Sequence, residues 1–68
     1  MIWIQVPAML AQQPDEEFTR MKEICRVHRV RYADKDRERQ DAEKMIRLIS
    51  AEQRKRRANA IAVGSSLQ

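Results

Sequence analysis

The only cysteine and the only histidine of this chain, Cys25 and His28, are three positions apart. On a helix they lie on one side, so two copies of the chain would offer two cysteines and two histidines, a donor set that zinc accepts. A cysteine–histidine pair can also provide a nucleophile and its base, but that chemistry needs a third orienting group and an oxyanion site. Both residues share an apolar seam with Phe18 and Met21, which favours a core position. We therefore expect no metal, no cofactor and no catalysis.

Basic residues form two groups that could bind polyanions. Arg54-Lys55-Arg56-Arg57 is a continuous run, and Lys22, Arg26 and Arg29 recur at helical spacing. Four consecutive helical positions cover nearly the whole circumference, so the run favours a solvated helix end, where cations complement the dipole. If both groups face the same way, a nucleic-acid surface becomes the alternative. The sequence does not decide their relative orientation.

Two valines indicate a second contact surface. Val27 and Val30 point mostly away from the seam that contains Phe18, near Arg31. In a helix with one buried face, β-branched apolar residues are not expected on the opposite, solvent-exposed face. Scattered exposed valines are nevertheless common. Trp3 is the sole tryptophan, and it fits either an interface anchor or a lid over the core. The predicted protein-binding residues are Trp3, Arg26, Val27, Arg29, Val30, Arg31 and Tyr32.

Length and composition exclude several classes of protein. The chain has 68 residues, a formal net charge of +4, 35% charged residues and one cysteine. Two domains do not fit, and an intramolecular disulfide is impossible. A core of this size contributes little stability by itself, so we expect a homodimer or a bound partner. The lone cysteine and the lack of a signal-peptide pattern predict a cytoplasmic protein without a membrane span.

Residues 1–14 are predicted to form an extended N-terminal arm or a short strand. Ile2, Ile4 and Val6 alternate with other residues, which is the period of a strand, and Pro7 would end it. A single strand must pair with a dimer mate or another protein, whereas an arm would pack over the helices. The two interpretations are equally supported by this pattern.

Residues 15–63, which follow Pro14, contain no glycine and no proline, so they are predicted to be helical. One seam runs through Phe18, Met21, Cys25, His28 and Tyr32, and a second runs through Ala42, Met45 and Ile49. A charged stretch separates the seams, so a helical hairpin with a turn near 33–36 is favoured over a single rod. Gly64 is the predicted C-cap, and residues 64–68 are expected to fray.

The opening segment resembles that of ribbon-helix-helix repressors, because Ile2-Trp3-Ile4-Gln5-Val6-Pro7 precedes a stretch capable of forming helix. In that family a short strand pairs across a dimer and outward side chains read the major groove, which implies base contacts by Trp3 and Gln5. The resemblance covers about ten residues. Pro14 interrupts the expected first helix, and the Gly-containing turn between two helices is missing from the pattern.

The sequence therefore predicts an all-α protein: a dimeric helical hairpin with an extended N-terminal arm. Its predicted function is to bind another protein, with an acidic or apolar surface, as an adaptor, inhibitor or regulator. Small chains without catalytic chemistry are typical of phage or mobile-element accessory proteins. The alternative is a basic DNA- or RNA-binding transcriptional regulator that uses the two groups of cations, Lys22, Arg26, Arg29 and Arg54, Lys55, Arg56, Arg57.

Overall fold

A computed structural model of the protein describes the backbone of residues 3–66 and the side chains of residues 3–61. After a 3-10 turn at Trp3–Gln5, the elements are α1 (Val6–Ala11), α2 (Asp15–Arg31) and α3 (Asp36–Ser66). None of residues 3–66 is in a strand. The all-helical fold class is confirmed.

The N-terminal segment is helical, so the prediction of an extended arm or strand is wrong for residues 3–11. Pro7 lies in the first turn of α1, where its missing N–H leaves no hydrogen bond unmade and its fixed φ suits a helix. The spacing of Trp3, Val6 and Leu10, three and then four residues, places them on one helical face against the core. Met1 and Ile2 lie outside the described residues. The resemblance to a ribbon-helix-helix strand therefore has no support in the described segment.

Helix α2 begins after Pro14, whose extended backbone (φ −71°, ψ 155°) separates it from α1. Its first turn carries Asp15, Glu16 and Glu17, which complement the positive end of the helix dipole. A turn over residues 32–35 follows Arg31, so residues 15–63 are not one continuous rod.

The turn between α2 and α3 is closed by Arg39. Its Nη1 donates a hydrogen bond to the Ala33 carbonyl oxygen at 2.9 Å. Its Nη2 lies 3.0 Å from Asp36 Oδ1, one turn earlier on α3. This single side chain therefore links the turn to the first residues of α3.

Helix α3 continues through Gly64 to Ser66, beyond the predicted end at Val63. Gly64 lies inside the helix, and no glycine among the described residues has a positive φ, so the predicted left-handed C-cap is wrong. A glycine can remain helical at a conformational cost when the preceding residues propagate the helix. The prediction of fraying covers residues 64–68. Of these, Leu67 and Gln68 lie outside the described residues.

The core lies where side chains of α1 and α2 pack against α3. Its buried apolar side chains are Val6, Leu10, Phe18, Ala42 and Ile49, and Trp3, Met21, Cys25, Met45 and Leu48 pack around part of this set. Both predicted seams therefore supply core residues. The burial of the first seam decreases toward the end of α2, where His28 is exposed and Tyr32 is half-buried.

Candidate protein-binding surface

Val27 and Val30 lie on the solvent-facing side of α2 and are 55% and 73% exposed. Val27 is nine residues from the buried Phe18, which is about half a turn around the helix. With Glu23, Arg26 and Arg31, the two valines line an open depression of about 450 Å³. We call these five residues the valine face. It offers apolar area bordered by charge, and no other helix covers it.

The charge around the valine face is mostly positive. Arg26 Nη1 lies 3.7 Å from Glu23 Oε2, and both side chains are more than half exposed. An exposed pair of this kind contributes little stability, because water screens it. Arg31 adds a further cation at the C-terminal end of the face. The rim is therefore suited to an acidic surface opposite it.

Ile24 is a neighbour of this surface to which the sequence pattern gives little weight. It is 60% exposed and lies at the edge of the apolar seam of α2. The sequence indicates its exposure through its position on the helical wheel. Ile24 lies between Cys25, which packs on the core, and Val27, which does not. Ile24 widens the apolar area available to a partner.

Three of the residues predicted to bind protein lie elsewhere. Tyr32 is half-buried at the end of α2, with its ring centroid 4.5 Å from that of His28. Arg29 lines a separate depression with Glu43, Ile46 and Arg47. Trp3 packs against the core, and Lys44 Nζ lies 4.6 Å from its ring centroid. The structure therefore groups Arg26, Val27, Val30 and Arg31 on one side of α2, and it places Trp3, Arg29 and Tyr32 outside that group.

Arg56 differs from its neighbours in the basic run because its side chain is bonded within the fold. Its Nη1 donates to Asp15 Oδ1 at 2.6 Å and its Nε donates to Glu52 Oε1 at 3.2 Å. Its Nη2 donates to the carbonyl oxygens of Leu10 and Ala11 at 3.0 and 3.1 Å. The donors of its guanidinium group are therefore engaged by acceptors of the protein itself. Arg54, Lys55 and Arg57 remain exposed.

Hydrogen bonding also changes the acid–base behaviour of Arg56. The hydrogen bond to Asp15 raises the pKa of its guanidinium, and the bond to Glu52 adds to this, while burial acts in the opposite direction. The side chain therefore keeps its charge. No sequence signal identifies this cluster, because its carbonyl acceptors belong to the end of α1, and that helix was not predicted.

Cys25, His28 and Asp41 line one small cleft beside Trp3 and Met45. Burial raises the pKa of the Cys25 thiol, which opposes formation of the reactive thiolate. Within the described residues, no group of three or more His, Cys, Asp or Glu side chains has an arrangement that could hold a metal ion.

A second apolar cleft, of about 350 Å³, lies beside α1. Met9, Met21 and Met45 contribute to its lining, together with Val6 and Leu10. Met9 is itself largely exposed. Methionine side chains adapt their shape easily, so this cleft can accept apolar groups without a fixed complementary surface.

Comparison with protein-family models, with curated proteins and with solved structures gives no match for this chain. Within the part of the chain that the structure describes, every helix is too short or too polar to cross a bilayer.

Proposed function

We propose that this protein is a non-enzymatic protein-binding module, an adaptor, inhibitor or regulator, that recognises its partner through the valine face. The exposure of both valines on the outer side of α2 supports this proposal most directly. β-Branched side chains are stiff, so Val27 and Val30 lose little conformational freedom when a partner covers them. Burying each one fully stabilises a complex by about 1.5–3 kcal/mol.

The chemistry of the partner follows from the rim. We propose an apolar patch flanked by carboxylates, because Arg26 and Arg31 border the valines and only Glu23 opposes them. In such an interface the central apolar residues carry most of the affinity. The arginines mainly increase the rate of encounter, which makes association moderately sensitive to salt.

The test compares two variants with matched chemistry. Val27→Asp with Val30→Asp places two carboxylates in the valine face. Ile4→Asp with Ile61→Asp places two carboxylates at other exposed apolar positions, which are 86% and 64% exposed. Proteins retained from the source lysate by the wild-type chain are identified by quantitative mass spectrometry, and binding is then measured with the purified partner.

We expect one partner to be retained by the wild type and by the Ile4/Ile61 variant and lost by the Val27/Val30 variant. Both variants should keep the helical circular dichroism of the wild type. Equal retention by both variants would overturn the proposal. Loss of helicity in the Val27/Val30 variant would show that the valines support the fold, which also overturns it.

We further propose that the chain is a helical hairpin that dimerises on the α1 side. The small core supports self-association, as does the exposed Met9, which lines the methionine-containing cleft beside α1. Light scattering coupled to size-exclusion chromatography tests this. We expect a dimer for the wild type and for Val27→Asp with Val30→Asp, and a monomer for Met9→Glu. A monomeric wild type would overturn the dimer proposal while leaving the valine face untouched.

A further inference from the structure

Cations of α2 and α3 meet on the side of the molecule where Arg29 lies beside Arg47. These two side chains line one open depression with Glu43 and Ile46 between them. Arg29 and Arg47 are both exposed. Because both arginines line the same depression, they lie on one side of the molecule, a relation that the sequence leaves open.

Helical geometry extends this pair into a larger surface. Lys22 precedes Arg29 by seven residues and Arg54 follows Arg47 by seven, so each lies on nearly the same side of its helix, about 10 Å away. The start of α2 packs beside the later part of α3, as the Asp15–Arg56 pair shows, so both displacements run in the same direction. We call the resulting set the basic face: Lys22, Arg29, Arg47 and Arg54.

These four cations are uncommitted within the fold. Among the side chains of residues 3–61, the arginines that form ion pairs are Arg26, Arg39 and Arg56, and none of these belongs to the basic face. Glu43 is half-buried and is the acidic residue that lines the shared depression. Arg29, Arg47 and Arg54 are exposed and Lys22 is half-buried, so the basic face presents its positive charge to solvent mainly through the three arginines.

We propose that the basic face binds the phosphate backbone of a nucleic-acid duplex without reading its sequence. The axes of packed helices lie about 8–10 Å apart, so long basic side chains from the two helices can reach phosphates on both sides of a major groove about 12 Å wide. Trp3, Phe18 and Tyr32 pack against other parts of the fold, so the face has no ring on which an unpaired base could stack. This favours a duplex over a single strand.

The proposed residue set differs from the one that the sequence predicts. Arg47 is added because it lies beside Arg29. Arg56 is removed because its guanidinium is bonded within the fold. Lys55 lies about 100° around α3 from Arg54, and Arg26 is paired with Glu23 on the valine face. The inference is independent of protein binding through that face.

Fluorescence anisotropy with a labelled random-sequence duplex, titrated across a range of salt concentrations, tests the proposal. Four phosphate contacts predict a slope of log K against log[salt] of about −3.6, which is a loss of about 100-fold between about 50 and 200 mM salt. Arg47→Gln with Arg54→Gln should reduce the magnitude of the slope by about 2. Arg37→Gln with Lys55→Gln removes the same charge from exposed positions outside the basic face and should leave the slope unchanged.

Circular dichroism should be the same for all variants, since the four replaced side chains are exposed. Absence of duplex binding at the lowest salt concentration would overturn the proposal. An equal loss in both double variants would also overturn it, because net charge alone would then explain the binding. Phosphatidylserine vesicles serve as a separate probe. Binding to vesicles without binding to the duplex would identify an anionic lipid surface and would contradict the assignment to nucleic acid.

Discussion

The Arg56 guanidinium donates a hydrogen bond to the Asp15 carboxylate at 2.6 Å, although the two residues are 41 positions apart. The same side chain reaches the last carbonyls of α1, and its Cζ lies 4.5 Å from the Phe18 ring centroid. Carbonyl groups at a helix C-terminus have no partner within the helix. Arg56 thus holds the end of α1, the start of α2 and the middle of α3 together at one point.

Replacing Arg56 should destabilise the protein more than replacing its neighbour. Arg56→Gln removes the guanidinium group, which donates hydrogen bonds to the carbonyl oxygens of α1 and to Asp15 of α2 at the same time. Arg56→Lys keeps the charge but should lose most of these hydrogen bonds as well. We expect both variants to lower the melting temperature by several degrees. Arg57→Gln, which removes the same charge from an exposed site, should leave it almost unchanged. Equal melting temperatures for the Arg56 and Arg57 variants would contradict the structural role of Arg56.

The basic run illustrates what the sequence can predict and what it cannot. Its predicted solvated character is correct for Arg54, Lys55 and Arg57, which are exposed. Its predicted position at a helix end is wrong, because α3 continues to Ser66 and the run lies inside it. The role of Arg56 depends on three acceptors that tertiary packing brings to it. Charge and periodicity describe one helix at a time and therefore do not reveal such a cluster.

Leu10 should be required for stability, because it is buried in the core although it lies in the segment expected to be an arm. Truncating a buried leucine to alanine costs about 2–5 kcal/mol. Ile4→Ala is the matched control, since Ile4 is 86% exposed and its loss should change stability by less than about 0.5 kcal/mol. Urea denaturation of both variants measures the difference. A Leu10→Ala protein as stable as the control would mean that α1 does not pack as described.

The sequence predicts an arm or a strand for the N-terminal segment because two periods coexist in it. The alternation of Ile2, Ile4 and Val6 is short, whereas the helical spacing of Trp3, Val6 and Leu10 continues across Pro7. Proline ends a strand but suits the first turn of a helix, so it fits the second pattern better. The longer segment after Pro14 has a single period, and for that reason its helices and its exposed valines were predictable.

Lys44 should stabilise the packing of Trp3. The ammonium lies 4.6 Å from the centroid of the indole ring, and such contacts contribute about 0.5–1 kcal/mol at exposed sites. Lys44→Met keeps most of the aliphatic stem and should lower the free energy of unfolding by about that amount. Lys55→Met, at an exposed position on α3, is the control. Tryptophan fluorescence during urea unfolding reports both values, and an unchanged midpoint for Lys44→Met would show that the contact contributes nothing.

Cys25 should react slowly with alkylating reagents while the protein is folded. Burial raises the pKa of its thiol, so less thiolate is present at a given pH than in the unfolded chain. The folded state therefore holds the proton more tightly. The stability linked to this group is fully present below the unfolded pKa and is lost as the pH rises through the folded pKa.

The rate of iodoacetamide modification, measured from neutral to alkaline pH with and without urea, should show its midpoint at higher pH in the folded protein. A folded-state rate equal to or faster than the rate in urea would contradict the packing of Cys25 against the core.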